Sequence, residues 1–313
     1  MPVTRTTLLT GPAAAIFNGH TFFAHDGILV SPALETDAVD SDANGAIDGT
    51  VSGTVMTIRF TPSAPFADLL ALCPHLQASL GASLRGSSDI PLVLIASNGV
   101  RLTFTTVAII EMPELTLTNR GPVAGAVTFL ALGARGAGLT SANRFLTIDT
   151  ASIPLAPRET LQLADDFVVT WGGSPWLNLR ARDGVKIRFA LKTRAVLSDA
   201  NALLDVTLEQ LEVEVRFIPA TPEGPAEGDL VAALQLQGAD ALPGRSLSAT
   251  ASSLDVAGDH FFIRLPLAQL MEGELAFDAM RGRLNELRFT ATRALMGTET
   301  PKPLASLSEG VPV

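Results

Sequence analysis

Ala24-His25-Asp26-Gly27, Ser41-Asp42-Ala43-Asn44 and Ile58-Arg59-Phe60-Thr61-Pro62 follow one another near the start of the chain. Ala181-Arg182-Asp183-Gly184, Ser198-Asp199-Ala200-Asn201 and Val215-Arg216-Phe217-Ile218-Pro219 follow in the same order further on. The offset is 157 each time (184 − 27, 198 − 41, 219 − 62), and residues 24–62 align with 181–219 without a gap. A register held across three separated motifs marks an internal duplication, and the fold has to be read as one unit used twice.

Working outward, each copy closes on a matched segment, Val127-Thr128-Phe129-Leu130-Ala131 and Leu287-Arg288-Phe289-Thr290-Ala291. The offset there is 160 (289 − 129), so copy 2 carries three extra residues in between. Copy 1 spans residues 10–133 and copy 2 residues 166–296. Residues 1–9 read as an N-terminal arm and 134–165 as a linker that opens on the glycine-rich Gly133-Ala134-Arg135-Gly136-Ala137-Gly138. Residues 297–313, with Pro301, Pro303 and Pro312, read as a C-terminal arm. A length of 313 residues accommodates two such units, each large enough for a core.

Strand signals dominate both copies. Residues 177–182 and 185–189 alternate apolar and polar around Asp183-Gly184, which predicts a hairpin with its turn there, and Asp26-Gly27 is the equivalent turn in copy 1. A second hairpin is predicted from Ile90–Ser97 to Val100–Thr105 through Asn98-Gly99, with a counterpart running through residues 254–258 into Phe261-Phe262-Ile263. One helix per copy is predicted after the Arg-Phe-x-Pro strand: Pro65 to Cys73, and about Pro225 to Gln237 with Gly238 as C-cap. The expected class is mainly β, two tandem β-sandwich or barrel domains each flanked by one α-helix.

Composition narrows the function. Apolar residues make up 47% of the chain, aromatics 5%, and the mean hydropathy is +0.33. A large aliphatic core or a surface covered by neighbours in an assembly would both produce this. The net charge of −10 disfavours tight nucleic-acid binding, which relies on neutralising phosphates. The single cysteine, Cys73, excludes an intrachain disulfide and reads as a small core hydrophobe. No run approaches the roughly 18 apolar residues that span a bilayer. Met1 to Phe17, interrupted by Gly11-Pro12, reads as an extended arm without a signal-peptide pattern.

Site chemistry is sparse. Asp40, Asp42, Asn44 and Asp48 imitate the front of a calcium loop, but Val51 stands where a bidentate carboxylate belongs and no helix pattern flanks the segment. Retention of Asp199, Asn201 and Asp205 without a full ligand set favours turn-capping residues, and no metal or cofactor is expected. There is no nucleophile elbow, phosphate loop, Cys-x-x-Cys or His-Glu-x-x-His, and His20, His25, His75 and His260 are scattered, so no catalytic set is expected. Tyrosine is absent. Trp171 and Trp176 flank Gly172-Gly173-Ser174-Pro175 and read as indoles packing around a tight turn rather than a sugar platform. The copies differ in charge at matched places: Glu35 aligns with Lys192 and Asp37 with Arg194. Drift on two solvated faces would give this pattern; so would electrostatic matching that alternates the copies around a ring.

The order of segments from Gly53 to Pro62, through Leu92–Ile95 and Asn98-Gly99, Ile109–Leu117 and Gly125–Phe129, resembles the major tail tube proteins of long-tailed bacteriophages in a duplicated form. In copy 2 the resemblance rests on Trp176, Asp183-Gly184, Leu234–Gly238, Gly244–Leu247 and Leu287–Leu295. It implies β-sandwich or barrel domains of the tail-tube type, three chains closing a ring of six domains, and rings stacking into a genome-conducting tube. It also implies partners among the terminator, distal-tail and tape-measure proteins, DNA passing without specific binding, no membrane, and a virion tail assembled in the host cytoplasm. A distal-tail or baseplate ring, the inner tube of an injection machine, and an extracellular β-sandwich binding module are the alternatives. If charge alternation orders the ring, Glu35→Lys with Asp37→Lys impairs assembly, and adding Lys192→Glu with Arg194→Glu restores it, as read by particle counts in negative-stain micrographs; unimpaired rings from the first pair exclude the idea.

Overall fold

The computed structural model describes residues 13–24, 26–40, 47–85, 89–118, 121–133, 146–154, 167–172, 178–197, 203–219, 251–258, 261–272, 275–277, 282–284, 286–292 and 305–309. The chain is mainly β. Through the first repeat run β1 (Ala13–Phe17), β2 (His20–Ala24), β3 (Ile28–Asp40), β4 (Ile47–Phe60), the helix α1 (Phe66–Leu70), β5 (Leu92–Ala96), β6 (Val100–Phe104), β7 (Val107–Glu111), β8 (Leu115–Thr118), β9 (Gly121–Ala124) and β10 (Val127–Ala131). Then come β11 (Leu146–Thr150), β12 (Phe167–Trp171), β13 (Asn178–Leu197), β14 (Leu203–Pro219), β15 (Ser252–Gly258), β16 (Phe261–Glu272), β17 (Leu275–Phe277), β18 (Gly282–Leu284), β19 (Leu287–Ala291) and β20 (Ser306–Glu309).

The repeated segment forms a long two-stranded ribbon in each repeat, and its register recurs. Ile28 faces Phe60 as Val185 faces Phe217. The register shift after Glu35 in β3 recurs after Lys192 in β13, 157 residues on. A bulge retained at the same place re-aims both ribbons in the same way.

The strand path also recurs. In the second repeat β12 pairs with β15, β15 with β16, β16 with β19, β19 with β14, β14 with β13 and β13 with β12, so six strands close on themselves. Closure removes the open edges that these strands would otherwise expose. The first repeat follows the same path with two strands broken at corners. Where β13 is continuous the first repeat has β2 then β3, and where β16 is continuous it has β6 then β7. The result is two sheets, β11-β6-β5-β1-β2 and β3-β4-β10-β7.

Matched aromatics fill the two interiors. Phe60 stacks on Phe129 at 5.8 Å, with Phe17 edge-on to Phe129 at 5.0 Å. Phe217 stacks on Phe289 at 6.1 Å, with Trp171 edge-on at 5.6 Å. Trp171 is buried and its indole Nε1–H donates to the Ala268 carbonyl at 3.0 Å, so it is a core residue; Trp176 lies outside the described residues. Such ring pairs add about 1 kcal/mol each beyond the area they bury. Buried residues of both repeats belong to one continuous cluster.

Several expectations change. Asp183-Gly184 is not a hairpin turn: Asn178–Leu197 is one strand, and Gly184 lies inside it at a bulge with φ +99°. Asp26-Gly27, with Gly27 at φ +85°, is a corner that passes the chain from β2, paired with β1, to β3, paired with β4. The Asn98-Gly99 hairpin is as expected, with Leu92 opposite Phe104 and the Gly99 N–H donating to the Ala96 carbonyl at 2.9 Å. The copy-1 helix is shorter than expected: α1 ends at Leu70, and Pro74–Gln77 forms a separate 3-10 turn because Pro74 supplies no N–H to continue the helix. The copy-2 helix at 225–237 lies outside the described residues. Part of the segment read as linker is β11, hydrogen-bonded along β6, and part of the segment read as the C-terminal arm is β20, paired with Phe261–Arg264 of β16.

A Cβ on Gly184 would stand 2.0 Å from the Leu117 carbonyl oxygen. Gly184→Ala is therefore expected to cost about 2–4 kcal/mol, from the positive φ and the displaced backbone together, read as a lowered urea midpoint; an unchanged midpoint overturns the packing described.

Candidate assembly surface

The contact that Gly184 permits joins the two repeats. The β8–β9 hairpin leaves its own repeat and lies along β13, with Leu115 opposite Ile187, Thr116 opposite Lys186 and Leu117 opposite Val185. Alternation explains the choice of side chains. Leu115, Leu117, Val185 and Ile187 are all buried, at 0–1% exposure, while Thr116 and Lys186 point to the other face. Gly125 turns the chain back, its N–H donating to the Glu114 carbonyl at 2.7 Å.

Two further contacts reinforce the seam. The segment after the 3-10 turn runs along β14: Gly81 N–H donates to Leu208 O and Leu84 N–H to Val206 O, each at 2.7 Å, and Leu208 N–H donates to Ala82 O at 3.0 Å. Ser83 Oγ donates to Asp205 Oδ1 at 2.8 Å; Asp205 lies within β14, opposite Val196, and not at a turn as the sequence suggested, so its side chain ties the two repeats together. Phe66 of α1 also meets Phe261 of β16 at 5.4 Å.

Among the described residues, the outer parts of β3–β4 and β13–β14 pair only with each other as strands, apart from the Ala82 segment on β14. Glu35 and Asp37 stand on β3 opposite Gly53 and Thr50; their side chains lie outside the described residues. Lys192 and Arg194 stand on β13 and are exposed, and Lys192 Nζ lies 3.5 Å from Glu209 Oε2 on the facing strand. The two charged sets thus occupy equivalent positions on equivalent ribbons, on either side of the shared bulge.

Of the calcium-loop lookalike, Asp40 and Asp48 sit on paired strands, opposite Ile47 and Val39, while Asp42 and Asn44 lie outside the described residues. A β-ribbon rather than two helices therefore flanks the segment. Among the described residues no group of three or more His, Cys, Asp and Glu side chains converges as a metal site. The two described histidines have different partners: His20 Nδ1 lies 2.7 Å from Asp68 Oδ1, and His75 is buried with Nε2 3.0 Å from the Ile109 carbonyl. His25 and His260 lie outside the described residues. Burial pushes the His75 imidazole below its ordinary range, partly offset by that hydrogen bond, and pushes the Cys73 thiol up to about 12. A thiol so disposed packs as a hydrophobe.

The sequence reading missed a charged cluster on the outer face of the second barrel. Glu214 on β14 is buried; its Oε2 accepts from Arg216 at 2.9 Å and lies 3.9 Å from Arg188, and its Oε1 lies 3.6 Å from Arg288. Arg288 also meets Glu272 at 2.9 Å, and Arg216 reaches Glu286 at 4.0 Å. The hydrogen bond to Glu214 raises the Arg216 guanidinium further above its usual range. The polar positions of strict alternation were visible in the sequence, but their convergence on one carboxylate required the pairing of β13, β14 and β19. Glu214→Gln removes the charge that three arginines share, and because those arginines are partly exposed and rehydrate, a loss of about 1–2 kcal/mol is expected by thermal or urea unfolding, smaller at high salt.

No protein-family model matches this chain, and no curated protein matches it in sequence.

Proposed function

We propose that the chain is a structural subunit that assembles head to tail into closed rings, three chains giving six similar β units, and that the rings stack as a tube of the phage-tail type. The observation that carries this reading is the seam between the repeats, where a hairpin of one repeat extends the sheet of the next. Such a contact is heterologous: donor and acceptor surfaces differ, so its repetition between chains generates a ring when the rotation closes, or a helix when it does not. The recurring strand path and ribbon register support it, because equivalent units present equivalent surfaces. The net charge of −10 suits a conduit along which a polyphosphate slides without adhering. The projecting ribbons, with opposite charges at Glu35 and Asp37 against Lys192 and Arg194, are suited to contacts with neighbouring chains.

Purified protein imaged by negative stain across a concentration series is expected to show rings or tubes of uniform bore, with matching high-mass species in sedimentation velocity. A species that remains monomeric at the highest concentration overturns the reading.

A further inference from the structure

The seam within the chain has a donor and an acceptor, and the duplication supplies a second set of both. The donor is the β8–β9 hairpin, Leu115–Thr118 and Gly121–Ala124. Adding the offset of 160 that relates the closing strands β10 and β19 gives 275–278 and 281–284, where β17 and β18 lie. The pairing is the same: Leu115 faces Ala124 as Leu275 faces Leu284, and Leu117 faces Pro122 as Phe277 faces Gly282. The apolar residues Leu115 and Leu117 recur as Leu275 and Phe277, with the small Ala276 in the place of Thr116. Yet β17–β18 forms a sheet of its own, paired with no other strand among the described residues.

The acceptor is β13 at Val185–Ile187, and subtracting 157 gives Ile28–Val30 of β3. There β3 pairs with β4 on one side and, among the described residues, ends its sheet on the other. Burial differs as a missing cover requires. Val185 and Ile187 are fully buried beneath β8, whereas Ile28 and Val30 are only partly buried and Leu29 is 61% exposed. The glycine that admits the donor backbone is also duplicated. Gly184, φ +99°, has the Leu117 carbonyl oxygen 2.0 Å from where its Cβ would stand. Gly27, φ +85°, keeps the same left-handed backbone with nothing within 4 Å.

We infer that the β17–β18 hairpin of one chain docks on the free edge of β3 in a second copy of this chain, repeating the internal seam, with Leu275 opposite Val30, Ala276 opposite Leu29 and Phe277 opposite Ile28. The inference rests on the head-to-tail reading above and specifies its interface. Docking pairs the open backbone groups of β3, covers Ile28 and Val30, and seats a carbonyl against Gly27, as Leu117 is seated against Gly184. The site is an edge added to by strand pairing, and its occupant is another copy because the same chain already shows the complementary half of the contact.

The experiment is oxidative cross-linking of full-length protein carrying Leu29→Cys with Ala276→Cys. The buried Cys73 thiol does not compete. The expected result is loss of the monomer band in non-reducing gels and its return on reduction, while either single variant and the out-of-register pair Ala33→Cys with Ala276→Cys stay monomeric. In a second variant, Gly27→Asn, the side chain tolerates positive φ and has space in the monomer but occupies the carbonyl's seat; its unfolding midpoint is expected to stay near that of the parent while the concentration needed for assembly rises at least tenfold. Rings in micrographs without the in-register cross-link, or with Gly27→Asn assembling normally, overturn this interface and leave ring formation standing. Absence of both rings and cross-links overturns the interface and the assembly reading together.

Discussion

The packing of Leu117 against Gly184 is the constraint around which the two repeats become one body. A hairpin that leaves its own repeat to hydrogen-bond along the neighbour's strand needs a place where two backbones approach closely, and a side chain at that place would collide with the Leu117 carbonyl. With glycine there, Leu115 and Leu117 enter a shared interior beside Val185 and Ile187, and the two aromatic centres become parts of one continuous core. The Phe66–Phe261 contact and the backbone bonds from residues 81–84 to β14 follow from the same approach, since the joint brings those surfaces within reach.

The same dipeptide behaves differently in the two repeats, and the difference is tertiary. Asp26-Gly27 breaks the strand and turns a corner between two sheets; Asp183-Gly184 is absorbed as a bulge inside an unbroken strand. The local chemistry is identical, a glycine that accepts positive φ. At Gly184 a third strand lies alongside and holds β13 straight, while at Gly27 no such strand constrains the chain. A repeated sequence thus yields one closed six-strand path and one path split at two corners. Among the described residues, this asymmetry leaves open at β3 the edge that β8 covers on β13.

Charge divides along similar lines. Glu214 is a carboxylate in a largely dry position, tolerated because arginines from three adjacent strands converge on it. Its counterpart by the repeat offset is Thr57, which hydrogen-bonds the Ser31 carbonyl at 3.5 Å and needs no counter-ion. The second barrel therefore carries a charged lattice on a face where the first carries a neutral side chain at the equivalent position, and the repeats diverge on their outer faces while keeping their interiors.

The sequence by itself determined the duplication, the β class, the closing strands at Val127–Ala131 and Leu287–Ala291, the Asn98-Gly99 hairpin and the core role of Cys73. These depend on periodicity, turn chemistry and composition, which act over a few neighbouring residues. Only the tertiary structure decided which strands pair across the chain, and hence barrel closure, the crossing of β8–β9 to the other repeat, the strand identity of residues 146–150 and 306–309, and the convergence of three arginines on Glu214. Those outcomes depend on partners far apart in sequence. A short apolar strand such as Leu115–Thr118 carries no local mark of the neighbour it joins, because backbone hydrogen bonds are the same along any edge and only packing selects among them.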